Sequence, residues 1–139
     1  MKIKMITGSF PPDICGVGDY TDVLVKNLKR KKIDIGVFNY KDWKLKKIFR
    51  IKNEICKERS DIYHLQYPTQ GYGYSLVPSF LSLLFFRKKF IVTLHEYTSK
   101  SLKGKIAEIF LVFFAKHIIF TTDYERKALL KVLPFKKNR

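Results

Sequence analysis

The chain has 139 residues, 46% of them hydrophobic and 15% aromatic, which suits one packed core better than two domains or a disordered tail. Its formal charge of +16, from 28 Lys plus Arg against 12 Asp plus Glu, attracts polyanions, yet no RNA-binding aromatic strand, helix-turn-helix or zinc finger accompanies it. Nucleic acid is therefore not expected as a partner, and Cys15 and Cys56, with no CxxC or Cys/His spacing, exclude a zinc site and a disulfide framework.

In chain order, residues 2–7 read as a first strand, without the apolar core and cleavage site of a secretion signal. A loop holding Gly8, Pro11, Pro12, Gly16 and Gly18 follows. A helix is expected from about Asp19, with Tyr20, Val23, Leu24 and Leu28 as its buried stripe and Lys26, Lys29 and Arg30 outside it. Residues 33–40 are a second strand. Residues 43–59 are expected as one strongly basic helix, with Leu45, Ile48, Phe49, Ile55 and Cys56 on one side. A third strand over 61–67 leads to the turn 68–73, a helix carrying Leu76, Val77, Phe80, Leu81 and Leu84, and a fourth strand over 89–94. Residues 118–121 form a fifth strand, and Thr122 followed by Glu125 has the capping-box spacing of a helix that runs to about Val132.

The apolar stretches 76–86 and 106–120 fall short of the roughly 20 residues that a membrane span needs. The first contains Pro78, and the second is broken by Glu108, Lys116 and His117, so buried helices and a buried strand account for both. Five strand-helix units predict an α/β fold, a doubly wound, Rossmann-like parallel sheet with helices on both faces. The ending, Leu133 and Pro134 followed by Lys136, Lys137, Asn138 and Arg139, reads as an interruption of that single domain.

In an open parallel sheet ligands bind outside the carboxyl ends of the strands, where the strand order reverses. Segments 8–19, 39–42, 66–73, 95–101 and 121–123 meet that condition and hold most of the glycines. Gly16, Val17 and Gly18 open a helix directly after the first strand, so their amides and the positive helix end can face a phosphate. The alternative is a loop that only closes onto the helix, with Asp19 as its N-cap. No Lys-Ser or Lys-Thr follows Gly18, which excludes a Walker A loop, and Tyr40 rather than an acid ends the second strand, against a dinucleotide site. His95 and Glu96 follow the fourth strand, where an imidazole either donates to a sugar hydroxyl or phosphate or is a satisfied structural group. Cys15 reads as an inert small residue, since no base is assigned to it, and His64 as a core histidine between Tyr63 and Leu65.

Several pieces in order resemble the N-terminal domain of glycosyltransferase family 4, the retaining GT-B family of hexosyl and related transferases. They are Lys2 and Ile3 through Phe10, Pro11 and Pro12; Gly16, Val17 and Gly18; the strand 61–66; Val92, Thr93, Leu94, His95 and Glu96; and Ile119, Phe120, Thr121 and Thr122. The resemblance implies a sugar transferred from a nucleotide-sugar donor to a cell-surface polysaccharide or a lipid-linked glycolipid acceptor. It implies that Gly16, Val17, Gly18 and Asp19 bind the donor, that His95 is the catalytic histidine, and that Gln66, Tyr67, Glu96 and Thr122 contact substrate. No metal and no resident cofactor are implied.

The family's second Rossmann domain, with its basic diphosphate clamp, has no counterpart in this sequence. The chain alone is therefore expected to be inactive, and a separate chain supplying the donor domain is an expected partner. The basic segment 43–59 and the overall charge predict a cytoplasmic protein attached peripherally to an anionic membrane surface, with Trp43 and Phe49 exposed. The other reading is a non-catalytic membrane-surface or interaction module of the same fold.

Overall fold

The computed structural model describes residues 1–134. The basic ending from Lys136 to Arg139, and the interruption read from it, lie outside the described residues. Strands β1 (Lys2–Thr7), β2 (Asp34–Asn39), β3 (Ile62–Tyr67), β4 (Phe90–Leu94) and β5 (His117–Phe120) form one sheet in the order β2-β1-β3-β4-β5. Every pairing is parallel. Helices α1 (Gly16–Arg30), α2 (Ile48–Cys56), α3 (Val77–Leu84) and α4 (Leu102–Phe114) connect the strands, and α5 (Asp123–Val132) follows the last. The order reverses between β1 and β3, so the helices that follow these two strands, α1 and α3, pack on opposite faces of the sheet. This is the doubly wound α/β architecture expected from the sequence, and each strand lies within one residue of its expected bounds.

Strand alternation divides the interior in two. Ile3 and Met5 of β1 pack with Ile35 and Val25 beneath α1. Ile6, Leu65, Val92 and Leu94 point the other way, onto Ile51 and Ile55 of α2, Leu81 of α3 and Leu111 of α4. Each such side chain contributes about 1.5–3 kcal/mol on burial, so the larger cluster carries most of the stability. Along β3 the same period sends Tyr63, Leu65 and Tyr67 toward α2, α3 and α4, and His64 and Gln66 toward α1.

Several local expectations are corrected. Helix α1 starts at Gly16, with the extended Cys15 as N-cap. Asp19 is not the cap: its amide donates to the Cys15 carbonyl at 2.9 Å, and its exposed carboxylate sits in the first turn, where it complements the helix dipole. The buried stripe of α1 is Gly18, Thr21 and Val25, with Leu28 partly covered, whereas Tyr20 and Val23 are 44% and 57% exposed. The helix is rotated because it approaches the sheet on its glycine side.

Segment 43–59 is not one helix either. A 3-10 turn, Leu45–Lys47, precedes the nine residues of α2. Trp43 is buried, its Nε1 donating to the Tyr40 carbonyl at 2.6 Å and its ring meeting the edge geometry of Tyr72 at 4.7 Å, while Phe49 is 68% exposed. One of the two residues expected on the surface is therefore inside. Strand β5 is an edge strand and only half covered: Ile118 and Phe120 pack inward, and Ile119 is exposed. No helix among the described residues is long and apolar enough to cross a membrane.

Candidate functional site

At the reversal of strand order the loops after β1 and β3 interlock. The Gly8 amide donates to Thr69 Oγ1 at 3.1 Å, the Gly71 amide to Ser9 Oγ at 2.7 Å, and Thr7 Oγ1 to the Ser9 carbonyl at 2.7 Å. A Cβ on Gly71 would stand 1.6 Å from the Gly8 carbonyl oxygen, so the two backbones meet where a side chain has no room. Gly18 serves the same packing, since a Cβ there would lie 3.1 Å from the Ser9 carbonyl, whereas one on Gly16 would meet nothing within 4 Å. Of the expected donor loop, Gly16 is thus the open position, Gly18 is buried, Val17 is half-buried and Asp19 is exposed. Cys15 is buried beside it. Burial pushes its thiol up, but the amides of Gln70 and Gly18, the Ser9 hydroxyl and the Val17 amide outweigh that and hold it below its ordinary value.

A buried polar row runs under the start of α1. The fully buried Gln66 accepts from His95 Nε2 through Oε1 at 2.9 Å, and its Nε2 lies 3.3 Å from His64 Nε2 and 3.2 Å from Met5 Sδ. His64 Nε2 is 2.7 Å from Thr93 Oγ1. An amide oxygen only accepts, so His95 Nε2 carries the proton and Nδ1 holds the lone pair. Burial lowers the His95 pKa from 6.5 to about 4, and burial followed by the proximity of His95 lowers His64 to about 4 as well. Both rings are neutral at pH 7. The Tyr20 ring stands edge-on to His95 at 4.9 Å, which joins the first turn of α1 to the end of β4. The Gln66 contact thus makes Nε2 the donor and leaves Nδ1 with acceptor capacity, whereas the sequence reading expects a donating imidazole.

The other expected residues are dispersed. Tyr67 lies on the opposite face from Gln66, stacked on Tyr72 at 5.9 Å with the Lys100 ammonium 3.9 Å above its ring. Glu96 is exposed, and its carboxylate accepts from Ser99 Oγ. Thr122 caps α5, its Oγ1 accepting from the Glu125 amide at 3.3 Å. Glu125 does not complete the capping box. Its buried carboxylate instead accepts from the Tyr97 and Thr98 amides at 2.9 and 3.0 Å and from Thr98 Oγ1 at 2.8 Å, which pins the loop after β4. Among the described residues no group of three His, Cys, Asp or Glu side chains is placed to hold a metal ion.

Two features escape the sequence reading. The periodicity of Tyr20, Val23, Leu24 and Leu28 puts Tyr20 in the core, although the spacing of Gly18, Thr21, Val25 and Leu28 fits a helical stripe equally well. Glu108 is wholly buried on α4 with its Oε2 2.8 Å from Lys100 Nζ; burial raises its carboxyl to about 7 against the pull of Lys100. The signal was a single acid inside an apolar run, three residues before Leu111. Two hollows, of about 610 and 940 Å³, border residues 72–76, and neither is lined by Gly16 or His95. No family model, curated protein or solved structure matches the chain.

Proposed function

We propose that the chain is the acceptor-side Rossmann unit of a retaining glycosyltransferase of the family 4 type, which transfers a sugar from a nucleotide-sugar donor to a polysaccharide or glycolipid acceptor. The observation that carries this reading is the pairing of the open helix start at Gly16 with His95 at the carboxyl edge, bridged by Tyr20 at 4.9 Å. The positive end of α1 at the open Gly16 suits an anionic diphosphate. His95 Nδ1 suits a sugar hydroxyl, and Gln66 acts through His95 by fixing its tautomer rather than by touching substrate. Glu96 and Thr122, on the loops after β4 and β5, belong to the same edge of the sheet.

Amides and one neutral imidazole do not stabilise the charge that develops on a leaving diphosphate, so the proposal includes a second Rossmann unit bearing the cationic clamp. Titrating UDP-hexose and GDP-hexose into the nitrogen-labelled chain tests it. The expected result is amide shifts at residues 16–19 and 95–96. Shifts confined to other residues, or none, remove the donor-loop assignment.

A second reading, a membrane-surface module, rests on the exposed Leu45 and Phe49 beside the exposed Lys44 and Lys46. Each cation near an anionic bilayer is worth roughly 1 kcal/mol, enough for weak recruitment to the inner face of the cell membrane. Co-sedimentation at low salt is expected to show retention on anionic vesicles and none on neutral ones. Equal, negligible retention on both removes the membrane contact and leaves the transferase reading untouched.

A further inference from the structure

The geometry points to a binding groove for a single hydrocarbon chain with an anionic head, set between α3 and α4 on the sheet face opposite His95. The groove measures about 940 Å³ and is walled by Tyr67, Tyr72, Leu76, Phe80, Ile106 and Phe110. That volume lies in the ~300–1,000 Å³ range of small-molecule sites. No Asp, Glu, Asn or Gln lines it. Two of its serines are already engaged, Ser79 Oγ donating to the Ala107 carbonyl at 2.8 Å and Ser75 Oγ to the Trp43 carbonyl. A sugar or nucleotide needs converging polar groups, and these walls offer hydrocarbon and ring faces instead.

The lip of the groove is apolar as well: the Tyr74 side chain is fully in solvent, Ile106 is 60% exposed and Leu76 47%. Exposed apolar surface gathered around a concave site marks a binding surface rather than ordinary scatter. The charge sits at one end. Lys100 and Lys103 line the groove where α4 begins, and the first turn of α4 holds no acidic residue to offset the positive helix end. Lys100 is held by Glu108 at 2.8 Å, which leaves the exposed Lys103 and the α4 start to meet the head while the chain lies between the rings. A net charge of +16 favours the same sign of ligand. As the seat of a lipid-linked acceptor, the groove deepens the transferase reading and rests on it for that role; the binding itself does not depend on it.

The test titrates dodecyl phosphate, below its aggregation threshold, into the full chain by calorimetry, with dodecyl maltoside and inorganic phosphate as controls. Dodecyl phosphate is expected to bind at least about tenfold more tightly than either control. Ile106→Glu, at a position exposed enough to spare the fold, and Lys103→Glu are each expected to weaken binding about tenfold or more. Phe49→Ser on α2 is expected to change nothing. Equal affinity for the maltoside, full binding by Ile106→Glu, or an equal loss in Phe49→Ser overturns the proposal. So does self-association that Ile106→Glu abolishes and dodecyl phosphate leaves intact, which would give the groove to a second copy of the chain. Nucleotide-sugar shifts at residues 16–19 are read on the same samples, so loss of the groove and loss of the donor loop are told apart.

Discussion

Gln66 and Tyr67 are neighbours in β3 and belong to two different environments. On the α1 side, Gln66, His64, Thr93 and His95 satisfy one another in a buried hydrogen-bonded row. On the α3 and α4 side, Tyr67 and Tyr72 face hydrocarbon, Lys103 stands at the rim, and Lys100 pairs with a buried Glu108 whose oxygens accept no hydrogen bond beyond that ion pair. The polar side fixes orientation and tautomer, and the apolar side supplies area. The two-residue period of one strand is enough to set sites of opposite chemistry back to back.

The two sides share one anchor, the interlocked loops at Gly8 and Gly71, so its removal is the largest test of the comparison. Gly71→Ala is expected to cost about 3 kcal/mol or more, because its Cβ would fall 1.6 Å from the Gly8 carbonyl oxygen. Gly16→Ala, with nothing within 4 Å, is expected to stay within about 0.5 kcal/mol of the parent in urea unfolding. Comparable losses in both would mean that the loops do not lock each other.

The apolar side is tested next by Lys100→Met. Without the ammonium, the Glu108 carboxyl is driven further above its present value of about 7. A native acid that keeps its proton while the unfolded one, with its ordinary value of 4.5, has lost it makes stability fall as pH rises through the interval. The variant is therefore expected to lose about 2–3 kcal/mol near pH 8 and much less near pH 5. A loss independent of pH would show that Lys100 acts through its packing on Tyr67 alone.

Most of the fold was legible because parallel strands and crossover helices write themselves as periods. Ile3, Met5, Leu65, Val92 and Leu94 are placed by alternation alone. What the sequence hid depends on distance between segments. Gly71 is a turn residue until Gly8 is seen against it, and Trp43 looks like an interfacial anchor until Tyr72 and Tyr40 close over it. Gln66 and His95 stand at two strand ends, and only the parallel register that pairs Gln66 with Thr93 and Tyr67 with Leu94 brings the amide to the imidazole. The loop before α1 was legible as a glycine pattern, but which glycine faces outward was not, since that is decided by where Ser9 lies.

On the polar side the expected signature is acid lability. His64 takes up its proton at about 4 when folded and at its ordinary 6.5 when unfolded, so between these values the unfolded state binds more protons and stability falls as pH drops. Glu108 slopes the opposite way over part of the same interval, which is why the measurement is a difference. The parent is expected to lose about 2 kcal/mol more than His64→Asn between those two pH values in denaturant titrations. Parallel curves would mean that His64 is charged in the native state and that the neutral row is wrong.

The smallest expected effect concerns Tyr20, the residue that ties the α1 start to His95. Its ring is 44% exposed, so its removal takes little from the core, and an edge-on aromatic pair is worth about 0.5–1.5 kcal/mol. Tyr20→Ala is therefore expected to cost no more than about 1 kcal/mol at neutral pH. Its larger consequence is electrostatic. Burial alone lowers the His95 pKa to about 4, and the Tyr20 ring, 4.9 Å away, is part of what keeps water from the imidazole. The variant is expected to raise the His95 pKa toward 6.5, read by proton NMR titration of the ring, while His64, covered on all sides, keeps its value. An unchanged His95 titration would place its burial in Gln66 and the loop after β5 instead, and would separate the α1 start from the imidazole that the proposed function joins to it.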